Sequence, residues 1–327
     1  MSLKLRLARV AARVEVALEQ VLIRPERIVT RIEPYTGYAT PENLVVRGRL
    51  LASPPGAAAR DGQSRLRNLR QMLRLFATDE VANVPVTAGG VSGKSDEEGY
   101  FTLHLPRGDT RPGRVEVTVT AGEVTAICPV LVTGAEAAFG VISDIDDTMM
   151  RTGAFSLWRN LWTSLTGNPL TREVFPDAVR LVAVLRDGGR NPVFFVSSSP
   201  WNFHGFLSDV FRRNGLPEAP MFLRDYGISE TQFITGTHGD HKGGAIDTLM
   251  AAHPGLGFVL VGDAGQHDPH VYADAAERHP GRVRTVILRD AGDGVKPDDR
   301  AQIDRLRARA VEVFVATDYD DAIAALR

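Results

Sequence analysis

One cysteine stands among the 327 residues. A lone thiol excludes an intrachain disulfide and any zinc site built on several cysteines. Cys128 falls in the apolar run 124–132, where a buried strand thiol is expected. Such sparing use of cysteine fits a reducing compartment. Long apolar runs are missing as well. No stretch reaches the roughly 18–20 residues that a bilayer span requires. The start, Met-Ser-Leu-Lys-Leu-Arg-Leu-Ala-Arg-Val, is broken by positive charge too often to form the core of a signal peptide. A cytoplasmic protein is expected, with any membrane contact peripheral. Charge of one sign is also lacking, since 38 Lys and Arg face 40 Asp and Glu. That balance argues against a general nucleic-acid binder.

What is present suits an ordinary globular protein. Hydrophobic residues make up 43% and charged residues 24%, and the length suits two domains. Leu3, Leu7, Val10, Val14, Leu18 and Leu22 recur at helical spacing, with Arg6, Arg9 and Arg13 off the stripe. Residues 1–27 are therefore expected to hold an amphipathic helix, packed on its own domain or lying at a lipid surface. From residue 28 the pattern changes to strands at 43–51, 100–105 and 115–120, separated by Ser53-Pro54-Pro55-Gly56, Gly89-Gly90 and Arg111-Pro112-Gly113. An inserted helix is expected over 63–76. Ser95-Asp96-Glu97-Glu98-Gly99-Tyr100-Phe101 resembles the turn-into-strand signature of transthyretin-like and carboxypeptidase-regulatory-like sandwiches. Residues 28–136 are thus expected to form a small β-sandwich.

From residue 137 to 327, short apolar runs alternate with helical stretches. Strands are expected at 140–143, 192–197, 258–261, 284–288 and 311–315, and helices at 176–187, 203–214, 243–253 and 270–279. This alternation predicts an α/β fold, a doubly wound Rossmann-like parallel sheet. Ligands bind at the carboxyl ends of such strands. The residues that follow the strands are Asp144-Ile145-Asp146-Asp147-Thr148, Ser197-Ser198-Ser199-Pro200, and Gly262-Asp263-Ala264-Gly265-Gln266-His267-Asp268. Converging carboxylates repel one another and call for a cation. Oxygen donors suit Mg²⁺, and a carboxylate site holding Mg²⁺ suits a phosphate oxygen.

Those segments resemble a known superfamily. Asp144-Ile145-Asp146-Asp147-Thr148 is similar to the first motif of haloacid-dehalogenase-like (HAD) phosphatases, Ser197 to the second, Lys242 to the third, and Asp263 with Asp268 to the fourth. A narrower resemblance adds Val196-Ser197-Ser198-Ser199-Pro200-Trp201, Leu223-Arg224-Asp225, His241-Lys242 and Gly262 through Pro269. These are similar to the catalytic domain of App1-like phosphatidate phosphatases. Pro34-Tyr35-Thr36-Gly37-Tyr38 and Val46-Arg47-Gly48-Arg49 look like that family's bacterial members. The resemblance implies Asp144 as nucleophile and Asp146 as general acid and base. It implies Mg²⁺ held by Asp144, the Asp146 carbonyl and Asp263, with Asp268 ligating directly or through water. Ser197 would bind phosphate, with Ser198 as the alternative if the strand ends one residue later; otherwise Ser198, like Ser199, only shapes the turn ahead of Pro200. Lys242 would offset charge, Thr148 would cradle phosphate, and Arg224 would bind phosphate or head group or form a surface salt bridge. Asp147 is set aside as a capping or solvent-facing residue. His241 and His267 lie nearby, as supporting groups or as contacts to substrate.

Only about 50 residues separate the first two motifs, too few for a large cap domain. Trp158, Leu161, Trp162 and Leu165 share one helical face there, forming a small lid or a contact with lipid. The function implied is conversion of phosphatidate to diacylglycerol and phosphate. A phosphatase on a phosphoprotein or a nucleic-acid end, and a non-catalytic binding module, are the competing classes.

Overall fold

A computed structural model describes residues 28–52, 81–151, 174–224, 238–265, 267–292 and 294–326. The expected helices over 3–22 and 63–76 and the tryptophan face at 158–165 lie outside them. The described residues form two sheets.

The first sheet has seven strands in the order β4-β3-β6-β7-β1-β2-β5. They are β1 (Arg31–Ala39), β2 (Asn43–Leu51), β3 (Pro85–Ala88), β4 (Val91–Lys94), β5 (Tyr100–Pro106), β6 (Gly113–Ala121) and β7 (Val124–Val132). All neighbours pair antiparallel except β1 and β7, which run parallel with Gly37 opposite Val130. The expected sandwich is corrected here. Instead of two separate layers, one continuous ladder curls until its edge strands β4 and β5 face each other. A Cβ on Gly93 of β4 would stand 2.7 Å from Leu103 of β5. The register shift between Tyr35 and Tyr38 supplies some of the curvature, because a bulge bends a strand and raises its twist. Val46, Leu50, Val86, Val119, Cys128 and Val130 fill the interior. Burial pushes the Cys128 thiol up to about 12, so it stays protonated.

The second sheet is all parallel, in the order β10-β9-β8-β11-β12-β13. Its strands are β8 (Gly140–Ser143), β9 (Val193–Pro200), β10 (Met221–Arg224), β11 (Phe258–Asp263), β12 (Val283–Arg289) and β13 (Glu312–Ala316). The helices are α1 (Pro176–Arg186), α2 (His204–Arg213), α3 (His238–Ala252), α4 (Asp268–Arg278), α5 (Pro297–Ala308) and α6 (Asp320–Ala325). Helix α1 shows why they form. Proline stands in its first turn, Asp177 meets the positive end of the helix, and Ala178, Leu181, Val182 and Leu185 make one buried stripe. Strand residues alternate between two cores. Phe195 faces α1 and α2, whereas Phe194 faces α3 and α4. Both rings are fully buried, and losing either to alanine costs about 3–5 kcal/mol. Among the described residues, no helix is long and apolar enough to cross a membrane.

Candidate active site

Three neighbouring strands end at one edge of the second sheet. Ser143 of β8 pairs with Phe195 of β9 on one side and with Val261 of β11 on the other. The Asp144 amide donates to the Val261 carbonyl at 2.8 Å. From β8 the chain continues to β9 on one flank and later returns to β11 on the other. This reversal of strand order opens a crevice beyond the strand ends. Asp144, Ser197 and Asp263 are carried to it.

Beyond β8 the backbone turns tightly. The Met149 amide reaches the Ile145 carbonyl at 2.9 Å, and the Asp147 amide reaches the Met150 carbonyl at 2.9 Å. Asp147 is buried and sits at φ 54°, in the left-handed region that aspartate enters more readily than most residues. The sequence offered Asp147 only as a cap or surface residue. Its role here is to turn the chain between Asp146 and Thr148.

Asp144 is 2% exposed, and each of its oxygens is engaged. The Lys242 ammonium lies 2.8 Å from Oδ1, and the Thr148 hydroxyl donates to Oδ2 at 3.1 Å. The same ammonium lies 2.5 Å from Oδ1 of Asp268. Oδ2 of Asp268 accepts the Asp263 amide at 3.1 Å, and Oδ1 of Asp263 accepts the Gly265 amide at 2.8 Å. Asp268 can come this close because Gly262 has no side chain. A Cβ there would stand 2.5 Å from Oδ2 of Asp268 and 2.7 Å from the Tyr272 hydroxyl. Lys242 lies in the second turn of α3, not at its start, since Gly239, Gly243 and Gly244 hide the true beginning from a propensity argument.

Asp146 is held by hydroxyls. Ser197 Oγ donates to its Oδ2 at 2.8 Å, and Ser199 Oγ donates to the same oxygen at 3.1 Å. The Ser199 amide donates to Ser197 Oγ at 2.9 Å. Strand β9 continues to Pro200 rather than ending near 197, so Ser197 and Ser199 share one face of the pleat. Ser199 was missed by sequence reasoning, which gave it only a turn-shaping role. The pleat puts Ser198 on the opposite face. Arg224 ends β10 with its Cα paired to that of Pro200, one strand further from Asp144. His241 is half-buried beside Lys242, and burial lowers its basicity. His267 precedes α4 and stacks on His270 at 4.7 Å.

The electrostatics follow from this packing. Burial pushes the Asp144 carboxyl up, and Asp268 and Asp146 add to the rise. The Lys242 ammonium at 2.8 Å opposes it. Burial also acts against the charge on Lys242, but contact with two carboxylates wins and pushes it up, so it stays an ammonium. Asp146 is likewise raised by burial, with the Ser197 hydrogen bond as the main opposing influence. Its Oδ1 is buried and accepts no hydrogen bond among the described residues.

Four carboxylates thus gather beyond the strand ends, and two of them hold one ammonium. Among the described residues, no three His, Cys, Asp or Glu side chains form a ready metal cluster. The donors present, carboxylate oxygens and backbone carbonyls, suit a hard cation that keeps much of its water. They do not suit a closed zinc site.

Residues 139–290 match the family model described as "Phosphatidate phosphatase APP1, catalytic domain". The chain is also similar to Phosphatidate phosphatase APP1 of Saccharomyces cerevisiae, 24% identical over 238 residues, covering 68% of this chain and 40% of that protein. A Schizosaccharomyces pombe protein of uncharacterized function is 24% identical over 229 residues, covering 67% of this chain and 37% of its own. The chain therefore spans about two fifths of the length of the curated relatives it matches.

Proposed function

We propose that this chain is a Mg²⁺-dependent phosphatase with a doubly wound, HAD-like catalytic unit. Its substrate is phosphatidate, hydrolysed to diacylglycerol and orthophosphate through an aspartyl-phosphate on Asp144. One observation carries the proposal. The buried Asp144 carboxylate is fixed at a strand end by Lys242 and Thr148, and two residues on stands Asp146, a carboxyl of raised proton affinity.

In the first half-reaction an Asp144 oxygen attacks phosphorus. The bond between phosphorus and the ester oxygen breaks, and its electron pair leaves with that oxygen, which takes the Asp146 proton. In the second, the Asp146 carboxylate removes a proton from water. The water oxygen attacks phosphorus and frees Asp144 and orthophosphate. A carboxylate nucleophile divides one hard displacement into two easier ones. A general acid works best with its pKa near the working pH, which the burial of Asp146 favours. Ser199 orients Asp146, and the one Ser197 hydroxyl proton, which lies on Asp146 here, would turn to phosphate when substrate binds. Lys242 balances the charge that Asp144 loses and regains. Thr148 keeps the nucleophile in its rotamer, and the amides after Asp144 cradle phosphate. Ser198 and Arg224 stand as substrate contacts.

Bound Mg²⁺ would be held by the Asp144 side chain, the Asp146 carbonyl and Asp263, and would neutralise phosphate charge so that an anion can attack an anion. Asp268, whose oxygens meet Lys242 and the Asp263 amide, would join directly or through water.

The names of the matched family model and the S. cerevisiae relative support the lipid substrate. Such a substrate would bring the protein to the cytoplasmic face of a membrane as a peripheral visitor. The test is phosphate release from phosphatidate in mixed micelles, with Mg²⁺ and with chelator, beside Asp144→Asn. Chelator-sensitive turnover that the substitution abolishes is expected. Near-normal turnover in Asp144→Asn would remove the nucleophile. Turnover on a small aryl phosphate alone would remove the lipid.

A further inference from the structure

Two segments of the first sheet take no part in the chemistry above: Pro34-Tyr35-Thr36-Gly37-Tyr38 on β1 and Val46-Arg47-Gly48-Arg49 on β2. Both meet the turn that follows Ser199. Arg47 extends from β2 to the second sheet, where one terminal nitrogen, Nη2, donates to the Thr36 carbonyl and to the Met221 carbonyl, each at 3.1 Å. Its guanidinium carbon lies 4.6 Å from the Phe222 ring centre and 5.5 Å from both Trp201 and Tyr38. Tyr35 stacks on Trp201 with centroids 4.8 Å apart and planes 14° from parallel, and it lies 4.1 Å from His204. Arg49 donates to the Asn202 side chain at 3.1 Å.

The ladder holds the serine segment only in part. Strand β8 ends at Ser143, opposite Phe195, so its pairing with β9 stops short of Ser197. On the other side β10 pairs in register at Met221 and Phe222, slips, and resumes at Arg224 opposite Pro200. The serine segment therefore extends beyond β8 and lies beside the register slip of β10. Yet Ser197 and Ser199 must hold Asp146 to within tenths of an ångström. Meanwhile Arg47 is a guanidinium that no carboxylate pairs with among the described residues, and its Nε is buried without a hydrogen bond. Burying a charge without its counter-ion is costly, so a stabilising side chain of the same size would be apolar. The surrounding rings and the two carbonyls, one from each sheet, offset that cost.

We propose that Arg47, with Tyr35, is a positioning group of the catalytic site: it clamps Trp201 and the start of β10 and so fixes the serine segment on Asp146. The first sheet then belongs to the catalytic machinery rather than serving as a separate docking module. The catalytic consequence rests on the function proposed above, whereas the clamp itself does not.

The experiment compares full-length wild type with Arg47→Met, Tyr35→Leu and a control, Val119→Ala, which opens the core of the first sheet away from the clamp. Two quantities are read: amide exchange of the peptide over residues 195–203, and kcat and KM on a small aryl phosphate. The clamp variants should exchange that peptide about tenfold faster. They should also lose about ten- to a hundredfold in kcat while KM moves less than about threefold, as expected for misplaced catalytic groups. Val119→Ala should lower the melting temperature and leave both readings near wild type. If Arg47→Met fails to fold, Tyr35→Leu decides alone. Unchanged exchange in the clamp variants, or equal acceleration in Val119→Ala, overturns the clamp. Faster exchange with normal kcat in an active protein overturns its positioning role. A wild type inert on every phosphate ester, with exchange still responding, removes the phosphatase and upholds the clamp.

Discussion

Gly262→Ala puts the packing of the acidic crevice to a quantitative test. The new methyl would stand 2.5 Å from Oδ2 of Asp268, 2.7 Å from the Tyr272 hydroxyl and 2.8 Å from a Tyr272 ring carbon. Ordinary contact begins near about 3.4 Å, so neighbours must retreat by most of an ångström in a fully buried strand. Overpacking of that kind costs about 1–3 kcal/mol. Asp268 cannot move that far and keep its hydrogen bond from the Asp263 amide, a charge-assisted contact worth about 1.5–3 kcal/mol. Restricting the unfolded chain returns about 0.4–1 kcal/mol. The net is a loss of about 1.5–5.6 kcal/mol. Gly265→Ala makes the control, since its Cβ would meet only Oδ1 of Asp263, at 3.5 Å. That variant should change stability by less than about 1 kcal/mol. Urea unfolding followed by circular dichroism, in chelator so that no cation intervenes, reads both. Wild-type stability in Gly262→Ala would refute the close approach of Asp268 to the strand, and with it the two-carboxylate cradle around Lys242. An equal loss in Gly265→Ala would do the same.

Three further outcomes are expected. Asp147→Gly should keep the fold and most activity because φ 54° suits glycine, whereas Asp147→Val should lose at least about 1–3 kcal/mol; thermal melts separate them. Ser199→Ala should lower kcat more than Ser198→Ala, since Ser199 donates to Asp146 from the same face of the strand as Ser197; the reverse order would put Ser198 on Asp146. His204 is held neutral, its pKa lowered to about 3 by burial and by Arg47. The unfolded chain binds a proton near pH 6.5 that the folded chain refuses. His204 thus makes stability fall as pH drops from about 6.5 toward 3, by at most about 1.4 kcal/mol per unit. Subtracting the unfolding curves of His204→Phe from wild type at pH 7 and pH 5 should recover that slope, and a pH-independent difference would contradict it.

Much of the crevice was legible because buried parallel strands are short apolar runs, and the polar residue after each run marks a ligand-facing edge. Asp144, Ser197 and Asp263 follow from that logic alone. Ser199 did not, because a strand's last residues are set by its neighbours, and β9 outruns β8 and slips in register against β10. Strand β10 escaped notice for a similar reason: Met221–Arg224 is too short and too mixed to stand out. The Lys242–Asp268 pair joins two helices that share no local signal. In the first sheet, alternation announced strands but not which would pair, and closing one curled ladder rather than two layers is a long-range choice. The contact between Tyr35 and Trp201 is more distant still. Nothing near either residue in the chain announces it.

The parallel pairing of β1 with β7 bears on the order in which the molecule is built. Strand β1 sits between β2 and β7, so the first sheet stays open until Val132 has been synthesised. Such a closure bridges a long loop and is expected to be slow. It can nevertheless finish while the ribosome is still producing the segment before β9, since domains made first tend to fold first. The serines at 197–199 would then emerge onto a finished surface, with Tyr35 and Arg47 already in place to receive Trp201. A folding defect in β7 would accordingly appear as a lesion of the crevice, although no residue of that strand reaches it.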